Sequence, residues 1–255
     1  MKIRKLLPIL LLVTLSSATL AQTTGTSEPS DLQVQLDSLK KGAAALVAMD
    51  KRISGVADSD KEVLLFRRDE HSFSLLLTLD RVVRQVAELP ADDPARLEVE
   101  KQLNENLHGA GGAVFRLLDD VDRRIKSYSE ELESLSGTSL IATQSYISSL
   151  RDLRIRYYQG VVDIVEGRQM LGVPADGEIT QRLESALYLQ AEKLAGYLEF
   201  SGQALQHVET RLNDDPTNAD LNATMKDISG RHEVSLRRLR DIVSLMDRLK
   251  LEDSA

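Results

Sequence analysis

The chain has no cysteine and no tryptophan among its 255 residues, only 6 prolines and 14 glycines, and 4% aromatic side chains. Without cysteine there is no disulfide, no thiolate nucleophile and no thiolate-ligated metal. Few prolines and glycines leave few obligatory breaks, and runs of β-branched and aromatic strand formers are scarce as well. After Leu15 no apolar run approaches the roughly 20 residues that cross a bilayer. What is abundant is Leu, Ala, Glu, Asp, Arg and Ser, a composition suited to helices. Its 32 basic and 40 acidic side chains give a formal charge of −8. Such an acidic balance speaks against nucleic acid or an anionic membrane as the main partner.

Residues 1–21 have the form of a secretory signal. Lys2, Arg4 and Lys5 precede a short apolar core, Leu6 to Leu15, and Ser16 to Ala21 supplies the small residues before a cut after Ala21. Removal leaves 29 basic against 40 acidic side chains, a charge of −11. The expected location is a bacterial periplasm. Residues 22–29 are a polar linker, and residues 30–255 are expected to form one helical bundle domain.

Apolar residues recur at steps of three and four through that region. Leu32, Leu36, Leu39, Ala43, Leu46 and Ile53 give a first helix ending near Ala57. Ser59 and Glu62 have capping-box spacing for a second, which Pro90 stops. Asp93-Pro94 starts a third, running to Leu135, where Val114, Leu118, Val121, Ile125, Tyr128, Leu132 and Leu135 keep a coiled-coil seam. At 1.5 Å per residue this segment would reach roughly 60 Å, against about 45 Å for its predecessor. Gly109, Gly111 and Gly112 each weaken a helix by about 1 kcal/mol relative to alanine, so a kink or break is expected there.

The fourth helix, from Ser139 to Leu171, is expected to be central. Around Val161, Val162, Ile164 and Val165 its apolar positions run most of the way round, so it needs cover on most sides. Gly172 ends it, and Pro174 to Gly177 is a turn. A fifth helix spans Glu178 to Leu212. Asn213 to Pro216 breaks the chain, and a sixth runs from Ala219 to Leu249 with His232 and Ser235 in its seam. The expected fold class is all-α: an elongated antiparallel bundle of about six long helices with coiled-coil-like packing.

Nothing in the chain has the spacing of a catalytic, cofactor or metal site, and no such residue is nominated. His71, His108, His207 and His232 are scattered, without the His-Glu-x-x-His pattern of zinc proteases. The glycines at 109–112 lack the lysine of a phosphate loop, and no Gly-x-Ser-x-Gly elbow occurs. Asp119, Asp120 and Asp122, and Glu130, Glu131 and Glu133, are expected to lie on solvated faces. No Glu-x-x-His pair marks a di-iron bundle. Tyr157 and Tyr158 are candidates for an aromatic patch, although spacing places Tyr157 in the core. The chain is therefore expected to have no catalytic activity, no cofactor and no small-molecule substrate.

Three stretches carry a resemblance. Tyr157-Tyr158-Gln159-Gly160-Val161-Val162-Asp163-Ile164-Val165-Glu166, with Leu171-Gly172-Val173, resembles the central helix in the periplasmic N-terminal region of some bacterial small-conductance-type mechanosensitive channel proteins. Arg211 to Leu221 resembles the break before that region's last helix, and Met246 to Asp253 the leucine-and-acid step before the membrane part. The likeness covers about Gly137 to the end. It implies a protein partner, either a membrane channel or another copy of the chain, and a role in modulating or assembling a channel under osmotic stress. That family continues into spanning helices, a pore helix and a cytoplasmic β domain. None occurs in these 255 residues, so no pore residue is carried over. A periplasmic coiled-coil adaptor or chaperone is the alternative, and predicts an apolar stripe left open on the folded chain.

The leader reading has a direct check. Mass spectrometry of the exported protein should find Gln22 at its N-terminus; a mature chain that retains residues 1–21 would refute cleavage.

Overall fold

The structure, a computed structural model, describes residues 29–173 and 177–250. The expected signal segment, the linker up to residue 28 and the Pro174–Asp176 part of the expected turn lie outside the described residues. The described chain is all-α: α1 (Pro29–Ser54), α2 (Asp58–Ala87), α3 (Pro94–Glu131), a 3-10 turn (Leu132–Ser134), α4 (Gly137–Met170), α5 (Gly177–Asp214) and α6 (Ala219–Lys250). The single bundle region drawn from the sequence comprises two compact units, one holding α1–α4 and the other α5 and α6.

Side-chain pairings give the directions of the first unit. Asp50 of α1 meets Arg68 of α2, and Gly42 meets Leu75, so α1 and α2 are antiparallel. Arg68 meets Asp120 and Glu62 meets Tyr128, so α2 and α3 are antiparallel. Arg154 meets Asp122 and Tyr146 meets Tyr128, which sets α4 antiparallel to α3. Glu62 with Tyr146, Asp69 with Tyr157, Leu76 with Gly160 and Val83 with Gly167 then show α2 and α4 running parallel. This is an up-down-up-down bundle. The helix packed against all three others is α2, and not the fourth helix that was expected to be central. α4 packs on α2 and α3, and its second half is covered as its sequence demands: Tyr157, Val161, Val162, Ile164 and Val165 are all buried.

Glycine permits the parallel approach. A Cβ on Gly160 would stand 2.7 Å from Leu76 Cδ1, and one on Gly167 3.0 Å from Val83 Cγ1. The two glycines are seven residues apart, on one face. Gly172, at φ +69°, closes α4: its N–H donates to the Gln169 carbonyl and that of Val173 to the Arg168 carbonyl. Those two bonds make a Schellman motif.

Two local expectations change. Of the kink or break expected at Gly109–Gly112, the break does not occur: α3 runs as one helix through these residues. Roughly 3 kcal/mol of propensity loss is small beside the tertiary contacts made by Val99, Leu103, Leu107, Val114, Phe115 and Leu118, all buried. α2 does not start at Ser59 as the capping-box spacing expected: its cap position is Ala57, without a side-chain bond. Glu62 is engaged elsewhere. In the second unit, α5 and α6 form a hairpin across a turn that the Asn218 side chain caps, accepting from the Leu221 N–H at 3.0 Å.

Opposite outcomes are expected for two glycine substitutions. Gly160→Val should lower stability by about 1–3 kcal/mol, because the added carbons meet Leu76. Gly196→Ala, where a Cβ meets nothing within 4 Å, should raise it by about 0.5–1 kcal/mol. Urea unfolding of both variants decides; a neutral Gly160→Val would show that α2 and α4 are not in close contact.

Candidate functional site: a buried ion network and an exposed aromatic face

Charged side chains are concentrated inside the first unit. Arg68 and Asp69 of α2 and Arg124 of α3 are 5–8% exposed, although such residues are almost never buried unpaired. Arg68 donates from Nη2 to Asp69 Oδ1 at 2.9 Å and to Asp120 Oδ2 at 2.6 Å, and from Nη1 to Asp50 Oδ1 at 3.3 Å. Arg124 donates from Nη2 to Asp69 Oδ2 at 2.7 Å, and its Nε lies 3.3 Å from Asp120 Oδ2. Tyr157 of α4, fully buried, donates to Asp69 Oδ1 at 3.3 Å. Asp69 thus receives two arginines and a tyrosine, one from each of three helices.

A second cluster lies about two turns away along α2. Tyr128 of α3 and Tyr146 of α4 each donate at 2.5 Å to one oxygen of Glu62, and their rings meet edge to face with centroids 5.0 Å apart. Asp120, Arg124 and Tyr128 recur every four residues, so one face of α3 serves both clusters.

Burial alone would raise the Asp120 carboxyl pKa. The hydrogen bond from Arg68, with the charges of Arg68 and Arg124, outweighs burial and holds it below the usual value. For Arg68, the loss of water is outweighed by Asp69 and Asp120, so its proton is held more tightly. Burial and the neighbouring Glu62 push the Tyr128 and Tyr146 hydroxyls well above the phenolic range, and burial with Asp69 does the same to Tyr157. Tyr158 is pushed up to about 12, mainly by burial. The arrangement presents charges that neutralise one another and tyrosines that keep their protons. Its direct effect is to hold α2, α3 and α4 in one register.

The Asp119, Asp120 and Asp122 group is not the uniformly solvated face expected of it. Asp119 and Asp122 are exposed, while Asp120 enters the network. Glu130, Glu131 and Glu133 are solvated. Tyr157 and Tyr158, the candidates for an aromatic patch, are both buried. Among the histidines with described side chains, His71 Nε2 lies 3.2 Å from the Gly42 carbonyl, His232 Nδ1 2.8 Å from Ser201 Oγ, and His207 is exposed. His232 and Ser235 sit in the α5–α6 seam, half-buried and buried, as their spacing indicates. Among the described residues no group of three or more His, Asp or Glu is placed to hold a metal, and no helix is long and apolar enough to cross a membrane.

Spacing alone did not single out the apolar face of the hairpin. On α5, Leu189, Tyr197 and Phe200 share one side and are exposed, Phe200 by 70%. On α6, Val243 is exposed and forms a shallow apolar surface with Leu236 and Leu239. The available signal was aromatic residues outside the core stripe. No family model matches the chain, and neither a curated protein nor a solved structure matches it.

The network makes two expected outcomes. Asp69→Asn should cost about 3–5 kcal/mol in urea unfolding, since Arg68 and Arg124 lose the more buried of their two shared counter-charges; a loss under 1 kcal/mol would remove the network from the core. Tyrosines whose folded pKa is raised stabilise fully below the unfolded value near 10 and lose that contribution as pH climbs through their folded values. Stability should therefore fall above pH 10, less steeply in Tyr157→Phe. Asp120, depressed when folded, stabilises above about 3.8 and ceases to as pH falls through its folded value. Urea midpoints across pH 2–12 read both limbs.

Proposed function

We propose that this chain is an exported, non-catalytic helical module that works by protein contact, assembling with or modulating a membrane channel under osmotic stress. Its setting is suggested by the leader-like first 21 residues and by the likeness of residues 137–255 to the periplasmic region of mechanosensitive channel proteins. The observation that carries the contact part is the α5 face of Leu189, Tyr197 and Phe200, aromatic-rich and open to solvent. Aromatic side chains of this kind are enriched where proteins bind each other. The α1–α4 unit, internally held by its ion network, would serve as the rigid part.

The same face supports a second reading, a coiled-coil adaptor that pairs with another copy of itself, because an apolar stripe is open on the folded chain. A photo-crosslinking amino acid at position 200, in cells of the native host, separates the two. Crosslinks to an identified channel protein are expected, and should vanish with the same group at exposed Thr210. Crosslinks to the chain itself, with a dimer by light scattering that Phe200→Glu dissociates, would replace the channel reading by the adaptor. No crosslink at position 200 above the Thr210 background would overturn both.

A further inference from the structure

The first unit contains a cavity of about 290 Å³ between α1, α2 and α3. Its wall is aliphatic: Leu39 and Leu46 from α1, Leu75 and Leu79 from α2, Ala110 and Ala113 from α3, with further Leu, Ala and Val and no aromatic ring. Only two polar residues line it, Ser72 and Lys40. The Ser72 hydroxyl is committed to the Arg68 carbonyl at 2.7 Å. The wall therefore makes little polar demand on an occupant's body.

The space has a cause in the sequence. α1 and α2 touch at Gly42, where a Cβ would come within 2.2 Å of Leu75 Cδ2. α3 presents Ala110 and Ala113 to the space, and these short side chains do not fill it. Each helix lines the cavity over eight residues, Leu39–Leu46, Ser72–Leu79 and Ala110–Leu117, which is about 10 Å from first to last. The antiparallel register puts Leu39, Leu79 and Ala110 at one end with Lys40. At the other, Leu46, Ser72 and Leu117 adjoin the ion network.

We propose that this cavity binds the hydrocarbon chain of a free medium-chain fatty acid, with its carboxylate at the Lys40 end. A cavity of about 150 Å³ holds a benzene ring, so this one has room for roughly ten to twelve carbons. That suits one alkyl chain and is too little for a two-chain lipid. Narrow apolar spaces between helices of a bundle are a recurrent ligand location. The buried ion network bounds one end of the space, and the exposed Lys40 side chain stands at the other. The assignment is independent of the contact face on α5 and goes beyond what spacing revealed.

Decanoate, kept below its micelle concentration, is the probe, titrated calorimetrically into the full chain. Saturable one-to-one binding is expected. Ala113→Leu, which fills the space, should weaken it at least tenfold, and Lys40→Met should weaken decanoate at least threefold while leaving decanol unchanged. Circular dichroism checks that each variant keeps its helix content. Should Ala113→Leu lose helix, photo-crosslinking of the wild type with a diazirine-bearing decanoate takes its place, and labels should map to α1–α3 peptides around the cavity. No saturable binding, undiminished binding in helical Ala113→Leu, or labels confined to α5 and α6 would overturn the proposal. So would a preference for phospholipid vesicles over monomeric decanoate.

Discussion

Two arginines below the protein surface require neutralisation, and the first unit depends on how they obtain it. A guanidinium removed from water pays several kcal/mol in lost hydration, recovered only where carboxylates and hydrogen bonds are placed around it. Arg68 finds Asp69 next to it on α2, Asp120 on α3 and Asp50 on α1. Arg124 shares Asp69 and Asp120. One short constellation therefore ties three helices, and the Tyr157 hydroxyl adds the fourth. The glycines of α4 belong to the same arrangement. Without close approach at Gly160 and Gly167, α4 would stand farther from α2 and Tyr157 would not reach Asp69.

Helices were legible because their signal is local. Apolar residues at steps of three and four report the buried face of a segment wherever its partner lies, and six long helices follow from that pattern alone. Boundaries read from glycine fared well at Gly172, where the left-handed backbone has no substitute of equal ease. The boundary read from capping-box spacing at Ser59 and Glu62 fared worse. The spacing of Glu62 from Ser59 satisfies a local rule, yet Tyr128 and Tyr146, 66 and 84 residues away, claim both carboxylate oxygens. Long-range partners leave no trace in a short window. Asp120 was misjudged for the same reason: an aspartate among aspartates on an amphipathic helix looks solvated unless Arg68 is known to face it.

The exposed surface obeys a different logic. Tyr157 and Tyr158 drew notice as an adjacent pair, but adjacent residues on a helix point about 100° apart, and burial of both required α4 to be covered on two sides. The described cover from α2 and α3 meets that requirement. Leu189, Tyr197 and Phe200 lie outside the buried apolar positions of α5, Ile179, Leu183, Leu187 and Val208, and gave no periodic signal of their own. A two-helix hairpin buries only the seam between its helices, so large side chains flanking that seam find no cover within the pair. An interface has to be sought among the residues that periodicity leaves out.

The network also bears on why α3 and α4 keep one alignment against α2. Apolar seams with near-identical side chains at every heptad tolerate sliding by seven residues, since leucine meets valine or isoleucine at comparable cost. Sliding α3 by one heptad would leave that seam apolar. It would also carry Asp120 and Arg124 about 10 Å along α2, parting Asp120 from Arg68 and Arg124 from Asp69, so that each buried arginine loses its counter-charge from the facing helix. Replacing all the charged members by apolar side chains of similar volume would be close to neutral in stability, because their burial cost cancels most of their attraction. The contribution specific to the network is then the gap between the native register and its heptad-shifted rivals. The pairing of Glu62 with Tyr128 and Tyr146 enforces the same alignment two turns away.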